Sequence, residues 1–211
     1  MTTIYFDLDG TLTNPKAGIT RSIQYALERL GHEVPTEDEL IWCIGPPLHA
    51  SLAKILGSDN LADQALLLYR ERFSDIGIFE NEAYPGIKDT LATLAASDRR
   101  MFVATSKPAV YAERIIDHFG LRTYFERVFG SELDGARTDK GELLQYALQE
   151  TKVDPKRAIM IGDRSHDMIG ARRNAMTAIG VLYGYGNREE LMSAGAHHVC
   201  AAHRDLLDHA R

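Results

Sequence analysis

The sequence predicts an α/β fold: a parallel sheet flanked by helices, with an all-helical domain inserted after the first strand. Three observations predict it. Short apolar strands alternate with helices from about residue 84 onward, the rhythm of parallel βαβ units. Those strands (101–105, 127–130, 158–161 and 177–182) are apolar on both faces, as a sheet covered by helices requires. The stretch 15–83, in contrast, carries helical periodicity and nothing that reads as a strand. Residues 1–14 and 84–211 are therefore expected to form one core, and 15–83 an inserted helical cap.

The elements follow in order. Thr3-Ile4-Tyr5-Phe6 is β-branched and aromatic, so it reads as a short buried strand. Asn14-Pro15 opens a helix, with Ile23, Ala26, Leu27 and Leu30 at helical spacing and Gly31 as its stop. Thr36-Glu37-Asp38-Glu39 has the form of a capping box and predicts another short helix, interrupted at Cys43-Ile44-Gly45-Pro46-Pro47. Helices over 48–56 and 59–79 follow, separated by Gly57-Ser58. Beyond Tyr84-Pro85-Gly86 comes a helix over 87–96 and the strand 101–105. A helix with Ala112, Ile115, Ile116 and Phe119 on one face stops at Gly120. The strand 127–130 leads through a polar loop to a helix that starts at Lys140, and the strand 158–161 leads to a helix containing Met168 and Ala171. The strand 177–182 is the last element predicted.

Bulk properties narrow the class of protein. The 211 residues are 45% hydrophobic, ordinary for a folded chain. A formal net charge of −6 argues against nucleic acid or an anionic membrane as main partner. No apolar run approaches the roughly 20 residues that span a bilayer, and no secretory signal is evident. Cys43 and Cys200 stand alone, without metal-type spacing, consistent with a reducing cytoplasm.

In open parallel sheets ligands bind beyond the carboxyl ends of the strands, and the chemically interesting residues fall there. Asp7 and Asp9 follow the first strand. Residues two apart on extended chain point the same way, so their carboxylates project together. Held that close they repel unless one is protonated or a cation such as Mg2+ lies between them. The second strand ends in Thr105-Ser106-Lys107-Pro108, where Ser106 serves either as a helix cap or as part of an anion site. Lys140 opens a helix, an unfavourable place for a cation unless a ligand needs it; the other reading is a solvated surface lysine. Gly162-Asp163-Arg164-Ser165-His166-Asp167 ends the fourth strand, and caps account for one of its carboxylates better than for both. Metal ligands, donors for phosphate oxygens and candidate nucleophiles on one sheet edge suit phosphoryl transfer.

These residues resemble the haloacid dehalogenase-like hydrolase superfamily in its phosphatase branch. Four motifs occur in order: Asp7-Leu8-Asp9-Gly10-Thr11, Thr105 at a strand end, Lys140, and Gly162-Asp163 with Asp167. The whole chain also looks like the phosphoglycolate phosphatase-type subgroup, some of whose relatives are described as 5′-nucleotidases. The resemblance implies a Rossmann-like core with Asp7 as the nucleophile that forms an aspartyl-phosphate. Asp9 would be the acid and then the base. Mg2+ would sit on the Asp7 carboxylate, the Asp9 backbone carbonyl and Asp163, with Asp167 behind them. Thr105, the Ser106 amide and Lys140 would hold phosphate oxygens. Dehalogenases lack a carboxylate at the position of Asp9, so its presence implies ester hydrolysis. Asn174 stands where glycine is common in relatives, and Ser106 where asparagine is common.

Gly45 and Pro46 resemble the cap loop that faces the active site in relatives and are the candidate substrate contacts. Neighbouring Trp42 is either a further substrate contact or, as the apolar surface it buries favours, part of the cap core. Closure of such a cap would exclude water from the reaction. Arg137 is either a contact for a second anionic group of the substrate or, as expected, a solvated arginine, and His197, His198, His203 and His209 are expected to be surface residues rather than a metal cluster. The expected substrate is a small phosphorylated metabolite. The alternatives are a phosphomutase of the same superfamily, a receiver-like module phosphorylated on aspartate, or a catalytically silent binding protein.

Overall fold

Thr3, Ile4, Tyr5 and Phe6 are all buried, which places β1 (Thr3–Phe6) at the centre of the sheet. A strand covered on both faces cannot alternate polar with apolar residues, and this one does not. The structure, a computed structural model, describes residues 2–97 and 99–209; Met1, Asp98, Ala210 and Arg211 of the expected core lie outside the described residues. The chain forms two compact units, Met1–Thr13 with Ala83–Arg211, and Asn14–Glu82.

The first unit holds a six-stranded parallel sheet. After β1 the chain passes β2 (Thr13–Asn14), and the intervening unit carries α1 (Lys16–Arg29), α2 (Leu48–Leu56) and α3 (Asp59–Asp75). It then continues through β3 (Glu82–Ala83), α4 (Ile87–Ala95), β4 (Arg100–Pro108), α5 (Ala109–His118), β5 (Arg127–Ser131) and α6 (Lys140–Thr151). The remaining elements are β6 (Ala158–Gly162), α7 (Ser165–Arg173), β7 (Thr177–Val181), α8 (Arg188–Ser193), β8 (His198–Cys200) and α9 (Leu206–His209). The sheet order is β5-β4-β1-β6-β7-β8, with Tyr5 opposite both Phe102 and Met160. Tyr5 and Phe102 stack at 5.2 Å between centroids, in a core completed by Phe129, Leu143, Leu144, Met160, Met168 and Ala178. Each of the Phe, Leu and Met side chains among them contributes roughly 1.5–3 kcal/mol on burial. With β1 between β4 and β6, the turns after these three strands share the carboxyl edge of the sheet.

The second unit buries Ile19, Ile23, Leu27, Leu52, Ala65, Tyr69 and Phe73, and Tyr69 stacks on Phe73 at 5.1 Å. Glu80 is clamped by Arg72, at 2.7 and 3.1 Å, and by Arg21 at 3.1 Å. These contacts hold Glu80 below the usual carboxylate range, the Arg72 hydrogen bonds being the main cause.

Four expectations need correction. β8 was not foreseen, because His198-Val199-Cys200 is a three-residue edge strand with little apolar signal. β3 lies at the end of the stretch read as free of strands and pairs with β2 in a separate two-stranded sheet. The helix expected over 59–79 stops at Asp75, and a single 3-10 turn, Gly77–Phe79, replaces its last part; glycine is a poor continuation of a helix. The Thr36–Glu39 capping box forms its hydrogen bonds, with Thr36 N donating to Glu39 Oε2 at 2.9 Å. It leads only to turns and the 3-10 segment Ile41–Cys43, since too few residues precede Gly45-Pro46-Pro47 for a helix to propagate.

Candidate active site

Asp7 directly follows β1, and its backbone N–H donates to Ile161 O at 2.8 Å, so the β6 neighbour fixes where the carboxylate starts. The chain then turns tightly. Leu12 N donates to Leu8 O at 2.9 Å and Gly10 N to Thr13 O at 2.7 Å, while Leu8 and Leu12 anchor the turn in the core. Gly10 has φ +83°, a left-handed conformation, and an added Cβ would lie 2.1 Å from Asp163 Oδ2. Only glycine meets both demands.

Lys140, the first residue of α6, is 4% exposed. Its ammonium donates to Asp7 Oδ1 and to Ala104 O, both at 2.9 Å, and lies 2.8 Å from Asp167 Oδ1. Two hydrogen bonds and one ion pair hold the ammonium in place. Burial would lower its affinity for the proton, but Asp167 and Asp7 together outweigh that and raise it.

Asp7, Asp163 and Asp167 each offer a carboxylate oxygen within 4.8 Å of the others, and all three residues are buried. Asp163 Oδ2 accepts from Tyr185 N at 2.8 Å, whereas its Oδ1 is buried with no hydrogen-bond partner. Burial, then Asp167 and Asp7, push the Asp163 carboxyl well above its ordinary range. Burial is also the first cause of the rise of Asp167 to about 6, partly countered by Lys140. Three carboxylates against one ammonium leave two formal negative charges in a space lined by oxygen. An all-oxygen donor set, a double negative charge and an orphaned Asp163 oxygen fit a hard divalent cation.

Asp9 does not join that trio. Its Oδ2 pairs with Lys107 Nζ at 2.7 Å, and its Oδ1 is buried without a hydrogen bond. Burial raises the proton affinity of Asp9, and Lys107 opposes the rise. Thr105 is buried at the same sheet edge, with its Oγ1 accepting from Lys107 N at 3.3 Å, and Ser106 follows half-buried.

The arrangement agrees with the comparisons to known proteins. The profile of the haloacid dehalogenase-like hydrolases matches residues 4–181. The chain belongs to that family. It is 45% identical over 199 residues to a Pseudomonas aeruginosa protein named 5′-nucleotidase, covering 94% of this chain and 90% of that one. It is 39% identical over 186 residues to the Mycobacterium tuberculosis tyrosine-protein kinase PtkA, covering 88% of this chain and 64% of the kinase. The crystal structure of a predicted phosphatase from Clostridium acetobutylicum superposes with a TM-score of 0.94 at 39% identity, covering 98% of both chains.

Several residues of this haloacid dehalogenase-like hydrolase were not singled out from the sequence. Lys107 lies at a strand end that the sequence marks only by its hydroxyl residues. Glu190 Oε1 accepts from Arg164 Nε at 3.0 Å and from Ser165 N at 2.9 Å, fastening the loop between Asp163 and Asp167. Tyr183 donates to Thr11 O at 3.1 Å and packs edge-on against Tyr84. Asn174, noted in the sequence, donates to Gly141 O and Gly170 O at 2.9 Å and so ties α7 to the start of α6. The left-handed position falls one residue later, at Ala175 (φ +55°).

Other sequence candidates lie elsewhere or are differently employed. Arg137 is not simply solvated: it pairs with Glu132 and lies 4.6 Å from the Tyr146 ring centre. Trp42 is not core: it is 37% exposed, with Lys54 Nζ 4.6 Å from its ring centre. Gly45 (φ +102°) and Pro46 are half-buried residues of the helical unit. His197, His198 and His209 are exposed, but His203 is half-buried, its Nδ1 2.7 Å from Thr90 Oγ1. Among the described residues the acidic trio is the one cluster with metal-site spacing. No helix among them is long and apolar enough to cross a membrane.

Proposed function

We propose that this haloacid dehalogenase-like hydrolase is a Mg2+-dependent phosphatase that cleaves a small phosphomonoester through an aspartyl-phosphate on Asp7. The observation that carries the reading is the buried group of Asp7, Asp163, Asp167 and Lys140 at the carboxyl edge of the sheet. The Asp7 carboxylate, the Asp9 backbone carbonyl and Asp163 would hold the metal, with Asp167 behind them. When bound, Mg2+ offsets the repulsion between Asp7 and a phosphate dianion.

The chain's own residues account for the rest. Asp7 attacks phosphorus, a new P–O bond forms and the ester P–O bond breaks. Asp9 gives its proton to the leaving oxygen, so an alcohol departs. Asp9 then takes a proton from water, whose oxygen attacks phosphorus and releases inorganic phosphate and the Asp7 carboxylate. Lys140, the Thr105 hydroxyl and the Ser106 amide hold the phosphoryl oxygens. Residues 1–14 and 84–211 carry this chemistry, while 15–83 form a cap with Gly45 and Pro46 as its candidate substrate contacts. The name 5′-nucleotidase of the 45% identical relative supports nucleoside 5′-monophosphates rather than phosphoglycolate as the substrate class of this chain. The buried free thiols of Cys43 and Cys200 fit a reducing, cytoplasmic setting.

Acid quenching of a turnover with Mg2+ and substrate tests the reading. Mass spectrometry should find a phosphoryl group on the peptide containing Asp7 in the wild type and none in Asp7→Asn. A phosphoryl group on another residue of an active enzyme would refute it. The kinase relative favours a second reading, in which the phosphoryl group passes to a tyrosine hydroxyl instead of water. Phosphotyrosine formation on an added acceptor, without phosphate release, would support that one.

A further inference from the structure

β4 does not run evenly to its end. Thr105 stands opposite Gly130, yet Pro108 stands opposite Ser131, so three steps along β4 match one along β5. Such a bulge redirects a side chain out of the regular alternation, and bulges are common beside active sites. The bulge is fastened: Ser131 Oγ donates to Ser106 O at 2.8 Å, and Lys107 N to Thr105 Oγ1. Its neighbour must be glycine, since a Cβ on Gly130 would lie 2.6 Å from the Ala109 backbone and 2.7 Å from Lys107 O. The side chain that the bulge aims is Lys107. Its ammonium sits 2.7 Å from Asp9 Oδ2, with the two side chains only 6% and 10% exposed.

We propose that Lys107 is a positioning residue for Asp9: it fixes one carboxyl oxygen so that the other faces the leaving group. The two oxygens of Asp9 are differently employed. Oδ2 is held by Lys107, and Oδ1 is buried with no hydrogen-bond partner. With Oδ2 held in that ion pair, the unpartnered Oδ1 is the oxygen left open to the reactant. Without Lys107 the short Asp9 side chain regains rotamer freedom, and the proton donor is no longer held within reach of the ester oxygen. The inference rests on Asp9 being that proton donor, as proposed above. It separates Lys107 from Lys140, whose partners are Asp7, Asp167 and Ala104 O.

The test compares two aryl esters of similar shape, p-nitrophenyl phosphate and phenyl phosphate, whose leaving groups differ in their need for a proton. Wild type, Asp9→Asn, Lys107→Met and Lys107→Arg are assayed with Mg2+ for kcat/KM. In Lys107→Met the value for phenyl phosphate should fall about 100-fold and that for p-nitrophenyl phosphate less than about 5-fold, the scale of a lost general acid. Asp9→Asn should show the same selectivity. Lys107→Arg keeps a cation at the site and should show a smaller loss with the same bias toward phenyl phosphate; it also serves if the methionine variant does not fold. Equal losses on both esters in the folded Lys107 variants, with selectivity retained in Asp9→Asn, would overturn the positioning role and leave Asp9 as the acid. Equal losses in Asp9→Asn itself would overturn the reading of Asp9, and the proposal with it.

Discussion

Asp7 and Lys140, 133 residues apart in the chain, meet in a buried ion pair of 2.9 Å, and Asp167 meets the same ammonium at 2.8 Å. The pair connects the turn after β1 to the first residue of α6, so it belongs to folding as well as to chemistry.

Removing that ammonium strands two buried carboxylates. Lys140→Met should destabilise the metal-free protein by about 3–5 kcal/mol, the cost typical of breaking a buried pair from one side. Denaturant titration checks the first effect. Phosphatase activity should also fall by about 100-fold or more, as for loss of an electrostatic clamp. A loss of stability below about 1 kcal/mol would show that the carboxylates tolerate each other without Lys140.

The trio predicts a linkage between metal and stability. Mg2+ at about 100 times its dissociation constant should stabilise the wild type by about 2.7 kcal/mol, seen as a rise in Tm. Asp163→Asn removes a charge from the group whose Oδ1 has no protein partner. It should keep the fold and lose the Mg2+-dependent rise. A rise of wild-type size in that variant would place the metal elsewhere.

In the helical unit, Glu80 between Arg72 and Arg21 gives a pH dependence with a definite sign. Its folded-state pKa lies below the unfolded value, near 4.3 for glutamate. Its contribution is therefore fully present above that pH and is lost as the pH falls through the folded value. Glu80→Gln should lower stability at neutral pH by about 1 kcal/mol or less. It should also flatten the stability profile on the acid side of pH 4.3. Unfolding curves at pH 7 and in the acid range check both; an unchanged acid slope would contradict the assignment.

The sheet was legible because parallel strands covered on both faces leave continuous apolar runs, and the rule that sites lie at their carboxyl ends pointed to Asp7, Thr105, Lys140, Asp163 and Asp167. Lys107 was not legible. Its role depends on the bulge in β4, which two strands create together and which no local pattern announces. β8 escaped for a related reason: an edge strand of three residues with a leading histidine carries almost no periodicity. His203 read as surface because its partner, Thr90, lies 113 residues away. Trp42 misled in the opposite direction. Its size suggested the core, but an indole also packs well under an ammonium, as it does beneath Lys54.

The most direct test of the central claim is phosphate release with Mg2+ by wild type and by Asp7→Asn. The panel spans nucleoside 5′-monophosphates, phosphoglycolate, sugar phosphates and phosphotyrosine. The account predicts release by the wild type from at least one ester, led by the nucleoside monophosphates, and none above background from the variant. Release by folded Asp7→Asn at the wild-type rate, or no release from any ester by the folded, Mg2+-loaded wild type, would contradict it.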